Sequence, residues 1–400
     1  MHIDHRKLGR ELDLFDSDPL IGAGLPFWLP GGAAARHAVE SYLHDLERRN
    51  GYQHVYSPAL GKRQLFEKSG HWRNFADDMF PPMPMGGDEL VLRPSLCPHH
   101  ALIYKSRGRS YRDLPLRIAE LGPMYRAERS GVVGGLSRVR AIQLNDAHVF
   151  CAESQAAAEV ADVLRLMRQA HAALGIQPSS FQLSLRGEGK KYGGDEAGWA
   201  SASRLLRVAL ASAGIDHVEA EGEAAFYGPK IDVQVADSAG REWSLATIQI
   251  DYHQPEAFDL SYADASGGRS RPVMVHRSLA GSMERLFGHL IEVHDGAFPL
   301  WYSPVQLAVL PVSEDQSDAA NALVRAAVAA GLRAEASHDG SIGARIRSAS
   351  ERRIPYAGIV GKKEAPDGLV ALRHRDGRQL PAMPVAAAIE MISGEARPGA

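Results

Sequence analysis

The chain has 400 residues, 45% hydrophobic and 23% charged, with a formal net charge of −3. That describes a globular protein with room for two or three domains, and its charge does not announce a nucleic-acid binder, so a phosphate-bearing partner would have to meet local basic patches. No apolar run reaches membrane-spanning length and MHIDHRKLGRELDLFD lacks a signal-peptide core, so a cytoplasmic protein with no membrane partner is expected. Only Cys97 and Cys151 are present, without CxxC spacing. A disulfide framework is not expected, and thiolate ligand or buried filler are the roles expected of them.

Residues 33–50 space Val39, Tyr42, Leu43 and Leu46 as one helical face, stopped by Asn50-Gly51, and a strand 53–57 ends at Pro58. The stretch 121–150 reads as two short strands, 122–127 and 138–142, around a Gly-rich charged turn 130–137. In extended chain Arg126 and Glu128 share a face. An anionic ligand that also carries amines would suit them, with a base on the carboxylate and a phosphate on the guanidinium. The alternative is a surface hairpin with an ion pair. Next come a helix 154–174 closed by Gly175, a strand 181–185 and a helix 198–214. In a hairpin within 226–252, Asp232 and Gln234 share one face of the first strand, and Thr247, Gln249 and Asp251 one face of the second. Either a pocket wall or an open solvent face follows from that pattern. Residues 271–292 are strand then helix, with Leu279, Met283, Leu286 and Leu290 as the buried stripe.

Beyond Ser303-Pro304 the pattern becomes a compact alternation: strand 306–312, helix 315–330, strand 332–336, helix 341–352, strands 356–360 and 369–373, helix 383–393. The spacing predicts a small α/β domain with parallel strands and right-handed crossovers. Between Arg345 and Arg378, nine Lys or Arg face four acids, a candidate basic patch for a phosphate-bearing partner or simply a solvated face.

The quoted stretches resemble the threonyl-tRNA synthetases of class II. Arg126, Glu128, Ser130-Gly131, Leu136, Arg138-Val139-Arg140 and Asp146-Ala147-His148, with Phe150-Cys151, match motif 2. The helix and strand ending at Pro58 are similar to motif 1, and Gly281, Ser282, Glu284 and Arg285 to motif 3. The resemblance runs from Asp4 to about Ile392. It implies an α+β catalytic domain built on an antiparallel sheet, residues 1–300, followed by a small α/β anticodon-binding domain, residues 304–400. It also implies a homodimer formed through motif 1.

The functional residues carry over position by position. Arg126 and Arg285 would hold the two ends of a bent ATP, with Glu128, Arg138, Ile142 and Gln143 completing the ATP site and Mg2+ accompanying the nucleotide. His71, in the stretch 67–80, matches the histidine that assists transfer to the tRNA hydroxyl. Asp146, Tyr227, Lys230 and Gln249 fall at the amino-acid site. Cys97, His148 and His276, which no spacing rule would nominate, match three ligands of one Zn2+ per subunit. Arg347, Glu364 and Arg373 fall on anticodon-binding positions.

Implied partners are therefore ATP, threonine and tRNA, in a threonine–tRNA ligase. Because the family-like text begins at Asp4, just before the catalytic domain, editing in cis is expected to be absent. Departures cluster at the pocket. Ser95, Leu96 and His99 replace Met, Asn and Gly; Ile142 and Leu144 replace Phe and Gln; Ser244, Leu245 and Ala246 replace Gln, Cys and Gly. In the tail, His338 to Ser341 replace Arg-Asn-Glu-Lys. These support an alternative, a specialised paralogue that is inhibitor-resistant or loads a threonine-like β-hydroxy amino acid onto another acceptor. A non-enzymatic sensor of tRNA or threonine is a third reading.

Overall fold

The computed structural model describes residues 3–188 and 192–399. Its first part is built from α1 (His5–Glu11), α2 (Pro30–Arg49), β1 (Gln53–His54), α3 (Cys97–Lys105), β2 (Leu116–Tyr125), β3 (Ala141–Cys151), α4 (Glu153–Leu174), β4 (Ser180–Leu185), α5 (Glu196–Ser212), β5 (Val218–Glu221), β6 (Lys230–Ala236), β7 (Glu242–Asp251), β8 (Val273–Ser278) and α6 (Met283–Val293). Shorter strands and turns fill the connections. Each long helix carries its own stop or start signal. Pro30 stands at the first turn of α2, where a missing N–H costs nothing, and α4 ends on Gly175 in the left-handed region.

The eight strands form one sheet in the order β5-β4-β6-β7-β8-β3-β2-β1. The inner pairs are antiparallel, and only the edge pairs β5–β4 and β1–β2 are parallel. Strand period then sorts the side chains. In β3, Ala147, Val149 and Cys151 enter the main apolar core together with Val39, Leu43, Val160, Leu164 and Leu286 from α2, α4 and α6. Asp146 and His148 alternate with them and so face the other side, where Asp146 lines an open cavity. Cys151 is thus buried filler.

Two expectations are corrected here. The hairpin strands run 116–125 and 141–151, not 122–127 and 138–142. Residues 138–140 belong to the loop because Arg138 closes a turn onto Gly134, and Arg140 is tied by its N–H to the Gly24 carbonyl at 2.7 Å and by its guanidinium to the Glu128 carbonyl. The polar run after Ile142 has poor strand propensity, yet it pairs with β2 throughout and with β8 from Ala147 on, which overrides propensity. The strand expected at 53–57 is only Gln53–His54, since Ser57 turns to donate its hydroxyl to Glu120 at 2.6 Å.

The second part has its own apolar clusters around β9 (Leu307–Pro311), α7 (Ser317–Ala329), β10 (Ala334–Ala336), α8 (Ile342–Glu351), β11 (Tyr356–Val360), β12 (Leu369–His374), β13 (Met383–Pro384) and α9 (Val385–Glu395). Strand order is β10-β9-β11-β12-β13. The first three strands are parallel as expected, but β12 and β13 are antiparallel. Residues 361–368 are too few for a crossover helix, so the chain returns directly.

Packing of α2 on the chain before it leaves no room at Gly32. The Leu14 carbonyl accepts the Leu29 N–H at 3.0 Å, and a Cβ on Gly32 would overlap that carbonyl. Gly32→Ala gains about 1 kcal/mol of helix propensity but costs about 1–3 kcal/mol of overpacking against rigid backbone. A lowered urea midpoint is expected; a raised one would show that the Leu14 segment yields freely.

Candidate active site and metal centre

Cross-strand register sets one row of side chains over the open face: Lys230 on β6 opposite Gln249 on β7, Gln249 opposite His276 on β8, and His276 opposite His148 on β3. A second row pairs Asp232 with Thr247 and Thr247 with Ser278. The Tyr227 hydroxyl donates to Gln249 Oε1 at 2.5 Å, and Lys230 Nζ is bound to Asp232 at 2.8 Å. Asp146, buried two residues before His148, has its carboxyl pushed up to about 6 by burial, with His100, His276 and Arg277 opposing.

Cys97, at the start of α3, reaches the end of this row. One donor atom each from Cys97, His148 and His276 lies within 4.8 Å of the others, and all three residues are buried. Hydrogen bonding behind the imidazoles fixes what they present. The Glu120 carboxylate, 3.1 Å away, accepts from His100 Nε2–H, leaving His100 Nδ1 as acceptor. His148 Nδ1–H donates to that atom at 2.7 Å, so in neutral His148 the lone pair is on Nε2. Asp251 accepts from His276 Nε2–H at 2.8 Å, so in neutral His276 the lone pair is on Nδ1. These two lone pairs face each other at 3.0 Å. They repel unless a cation lies between them. A proton is disfavoured at His148, where burial, then His276 and His100, hold the imidazole far below its usual value. Burial likewise pushes the Cys97 thiol up, and a nearby cation is what converts such a thiol to thiolate. One sulfur and two nitrogens fit Zn2+, and three protein ligands are the number found where a position stays open. Asp251, His100 and Glu120 supply outer hydrogen bonds of the kind that would orient histidines on a zinc ion.

Arg126, Glu128, Arg138, Ile142, Asp146, Tyr227, Lys230, Gln249, His276 and Arg285 all line one cavity of about 380 Å³. Glu128 pairs with Arg138 at 2.8 Å, and Arg285 Nε donates to the Ser137 carbonyl at 3.1 Å. The Arg285 guanidinium also lies over the Trp243 ring, 5.5 Å from its centroid. Ser95, Leu144, Ser244 and Leu245 line the same cavity.

Other expected residues sit elsewhere. His71 is buried at the start of the helix His71–Phe75, its Nδ1 against the Ser69 hydroxyl at 2.8 Å and its Nε2 3.6 Å from Cys97 Sγ. Burial, then the neighbouring His276 and Arg126, push this imidazole down to about 3, so it is neutral. Gln143 gives its backbone N–H to Glu284 at 3.0 Å and is outside the cavity lining, its buried Oε1 without a partner among the described residues. Asp251 lies behind His276 rather than on the pocket wall, and Gln234 pairs with Ser244 beyond a bulge in β6. Leu279 is buried but precedes α6 instead of belonging to it. Asp251, His100 and Glu120 were not nominated as site residues from sequence. A carboxylate and a histidine that act through another histidine leave no spacing signal.

In the second part, Arg347 on α8 and Arg373 on β12 are exposed, whereas Glu364 turns back to accept the Gly361 N–H at 3.0 Å. The basic patch is smaller than its sequence. Arg345 is buried, its guanidinium donating to the carbonyls of Pro311, His338 and Asp339, and Arg352, Arg353 and Arg378 pair with Glu335, Asp295 and Asp376. No helix among the described residues is long and apolar enough to cross a membrane.

Comparison with known proteins places this geometry. A family model described as the tRNA synthetase class II core domain (G, H, P, S and T) matches residues 84–294, and one described as an anticodon binding domain matches residues 306–395. The chain is 48% identical over 374 residues to the threonine–tRNA ligase of Geobacillus kaustophilus, covering 92% of this chain and 57% of that protein. It is 45% identical over 398 residues to the threonine–tRNA ligase of Anoxybacillus flavithermus, covering 98% of this chain and 62% of that protein. The chain thus spans about 57% to 62% of the length of these curated relatives. A crystal structure of the RNA binding domain of threonyl-tRNA synthetase from Cryptosporidium parvum superposes with a TM-score of 0.93 at 33% identity, covering 98% of both chains. Arrangement, family model and relatives agree that the chain belongs to the class II aminoacyl-tRNA synthetases, within the threonyl-tRNA synthetase family.

Proposed function

We propose that the chain activates L-threonine with ATP and Mg2+, releasing pyrophosphate, and transfers the threonyl group to the 3′ end of threonine tRNA. The observation that carries this reading is that two arginines, Asp146 and His276 border a single cavity, with Cys97 and His148 clustered on His276. Arg126 and Arg285 hold opposite ends of a bent ATP so that the α-phosphorus faces the substrate carboxylate, and their fixed charge offsets charge growing there. Glu128 and Arg138 frame the nucleotide beside Ile142. Cys97, His148 and His276 would hold Zn2+, which would supply a Lewis acid toward the amino and hydroxyl groups of the amino acid. Asp146 accepts from the substrate hydroxyl, while Gln249, oriented by Tyr227, and Lys230 form the facing wall. The resemblance assigns proton acceptance during transfer to neutral His71, which stands outside the cavity wall with Nε2 3.6 Å from Cys97 Sγ. Residues 1–300 do this chemistry and residues 304–400 hold the anticodon, with Arg347 and Arg373 outward. A cytoplasmic homodimer joined through the α2 and β1 face completes the reading.

Selectivity follows from the same groups. Valine offers a methyl where the site requires a hydroxyl, and such sites reject the analogue by about 10⁴-fold. Serine lacks only a methyl, worth about 1–3 kcal/mol. In ATP–pyrophosphate exchange with zinc-loaded protein, serine is expected within about a thousandfold of threonine and valine well below serine. Valine exchanging as well as serine would remove the hydroxyl anchor from the account. Charging of threonine tRNA with labelled threonine tests the second step.

A second reading rests on the residues Ser95, Ile142, Leu144, Ser244 and Leu245, which line the cavity at positions where the resemblance leads one to expect others. They suit a specialised paralogue, either resistant to an inhibitor of the ordinary enzyme or acting on a threonine-like β-hydroxy amino acid and another acceptor. Adenylate formation without charging of threonine tRNA would favour it.

A further inference from the structure

We infer that His5, on the N-terminal helix α1 and outside the cavity, is the positioning residue that holds the 134–138 turn against the ATP end of the site; the inference rests on the function proposed above. His5 is buried and touches two separate elements. Its Nδ1 lies 2.7 Å from Glu292 Oε1 on α6, and its Nε2 accepts the backbone N–H of Leu136 at 3.1 Å. An Nε2 that accepts an N–H carries no proton, so neutral His5 donates through Nδ1–H to Glu292 and receives Leu136 through Nε2.

That backbone contact sets two groups of the nucleotide site. One residue on, the Ser137 carbonyl accepts from Arg285 Nε, and the next residue, Arg138, pairs with Glu128. The turn is pressed onto α1 at Gly135, whose φ is +51° and where any Cβ would overlap the His5 ring. Leu136 is fully buried in the main core, and its backbone N–H takes His5 Nε2 as partner. Losing the imidazole therefore orphans a buried donor and loosens the turn that places Arg138 and Arg285. The substrate row on β6, β7 and β8 lies on other strands and shares none of these contacts.

The test is calorimetric binding of MgATP and, separately, of threonine to zinc-loaded wild type, His5→Ala and His5→Gln, with threonine-dependent exchange measured alongside. A glutamine amide can donate to Glu292 and accept from Leu136 as the imidazole does. We expect His5→Ala to weaken ATP binding about tenfold with threonine affinity within about twofold, and His5→Gln to bind ATP within about threefold of wild type. Unchanged ATP binding in His5→Ala overturns the inference. So does parallel weakening of ATP and threonine in both variants, which marks His5 as a general fold contact. If wild type binds ATP but shows no threonine-dependent exchange, the functional reading fails while the binding data still decide the role of His5. Wild type that binds no ATP removes both.

Discussion

Cys97→Ala is expected to strip the protein of zinc and to lower threonine-dependent ATP–pyrophosphate exchange by about a thousandfold or more, the scale of losing a preorganised electrostatic anchor. The expectation follows from how little else the trio can do. His148 Nε2 and His276 Nδ1 present lone pairs 3.0 Å apart because Glu120, through His100, and Asp251 hold their other nitrogens as donors. Two imidazoles alone are a weak, incomplete cation site, and Cys97 is the third donor that closes it. Metal content after desalting, measured by mass spectrometry, should fall from about one zinc per chain to a small fraction of that. Glu120→Gln changes no ligand and should act more gently, weakening zinc about 10- to 100-fold, as loss of an outer hydrogen bond does. Full zinc retention and normal exchange in Cys97→Ala would show that the sulfur is only filler.

Legibility from sequence divides along a physical line. Elements set by local signals were readable: α4 ends at its glycine, β11 falls on residues 356–360, and the second part follows its alternation as far as β12, after which the short strand β13 stands where the last helix was expected to begin. Arg126, Glu128, Asp146, Gln249 and Arg285 were nominated through the resemblance, and all of them line the cavity. What spacing alone did not carry depended on register. Cys97, His148 and His276 were nominated through the resemblance, because the pairing of His148 with His276 across β3 and β8 is in no spacing within either strand. The relay from Glu120 through His100 was invisible for the same reason, since it joins β2 and α3. Gln143, expected at the nucleotide, instead gives its N–H to Glu284 and leaves the wall to its neighbour Ile142. Arg345 counted toward a basic surface but was consumed by three carbonyls, because a charge count carries no information on burial.

Arg277→Ala is expected to cost about 3–5 kcal/mol of stability, more than any surface change, because it strands a buried carboxylate. Arg277 is fully buried, with Nη1 2.8 Å from Glu47 Oε1 and its guanidinium 4.3 Å from the centre of the Tyr52 ring. Glu47 also accepts from Asn145 Nδ2 at 2.8 Å and meets His54 at 2.7 Å, so the cluster joins α2, β1, β3 and β8. Burial pushes the Glu47 carboxyl up, but Arg277 above all, then His54 and Asn145, bring it below the ordinary value of 4.5. A depressed native value contributes stability above the unfolded value, lost as pH falls through the native one. In Arg277→Ala the opposite holds: burial without its partner raises the native value of Glu47, so proton uptake on acidification relieves the variant first. The gap between wild type and variant urea midpoints is therefore widest near neutral pH and narrows as pH falls toward 4.5. Arg277→Met combined with Glu47→Gln removes both charges and should recover part of the loss. A gap that stays constant across this range, or a double variant no better than Arg277→Ala, would assign the cost to lost packing on Tyr52 instead of to the stranded charge. The same strand carries His276, opposite His148, and Arg277, so the charge cluster and the candidate metal cluster share β8.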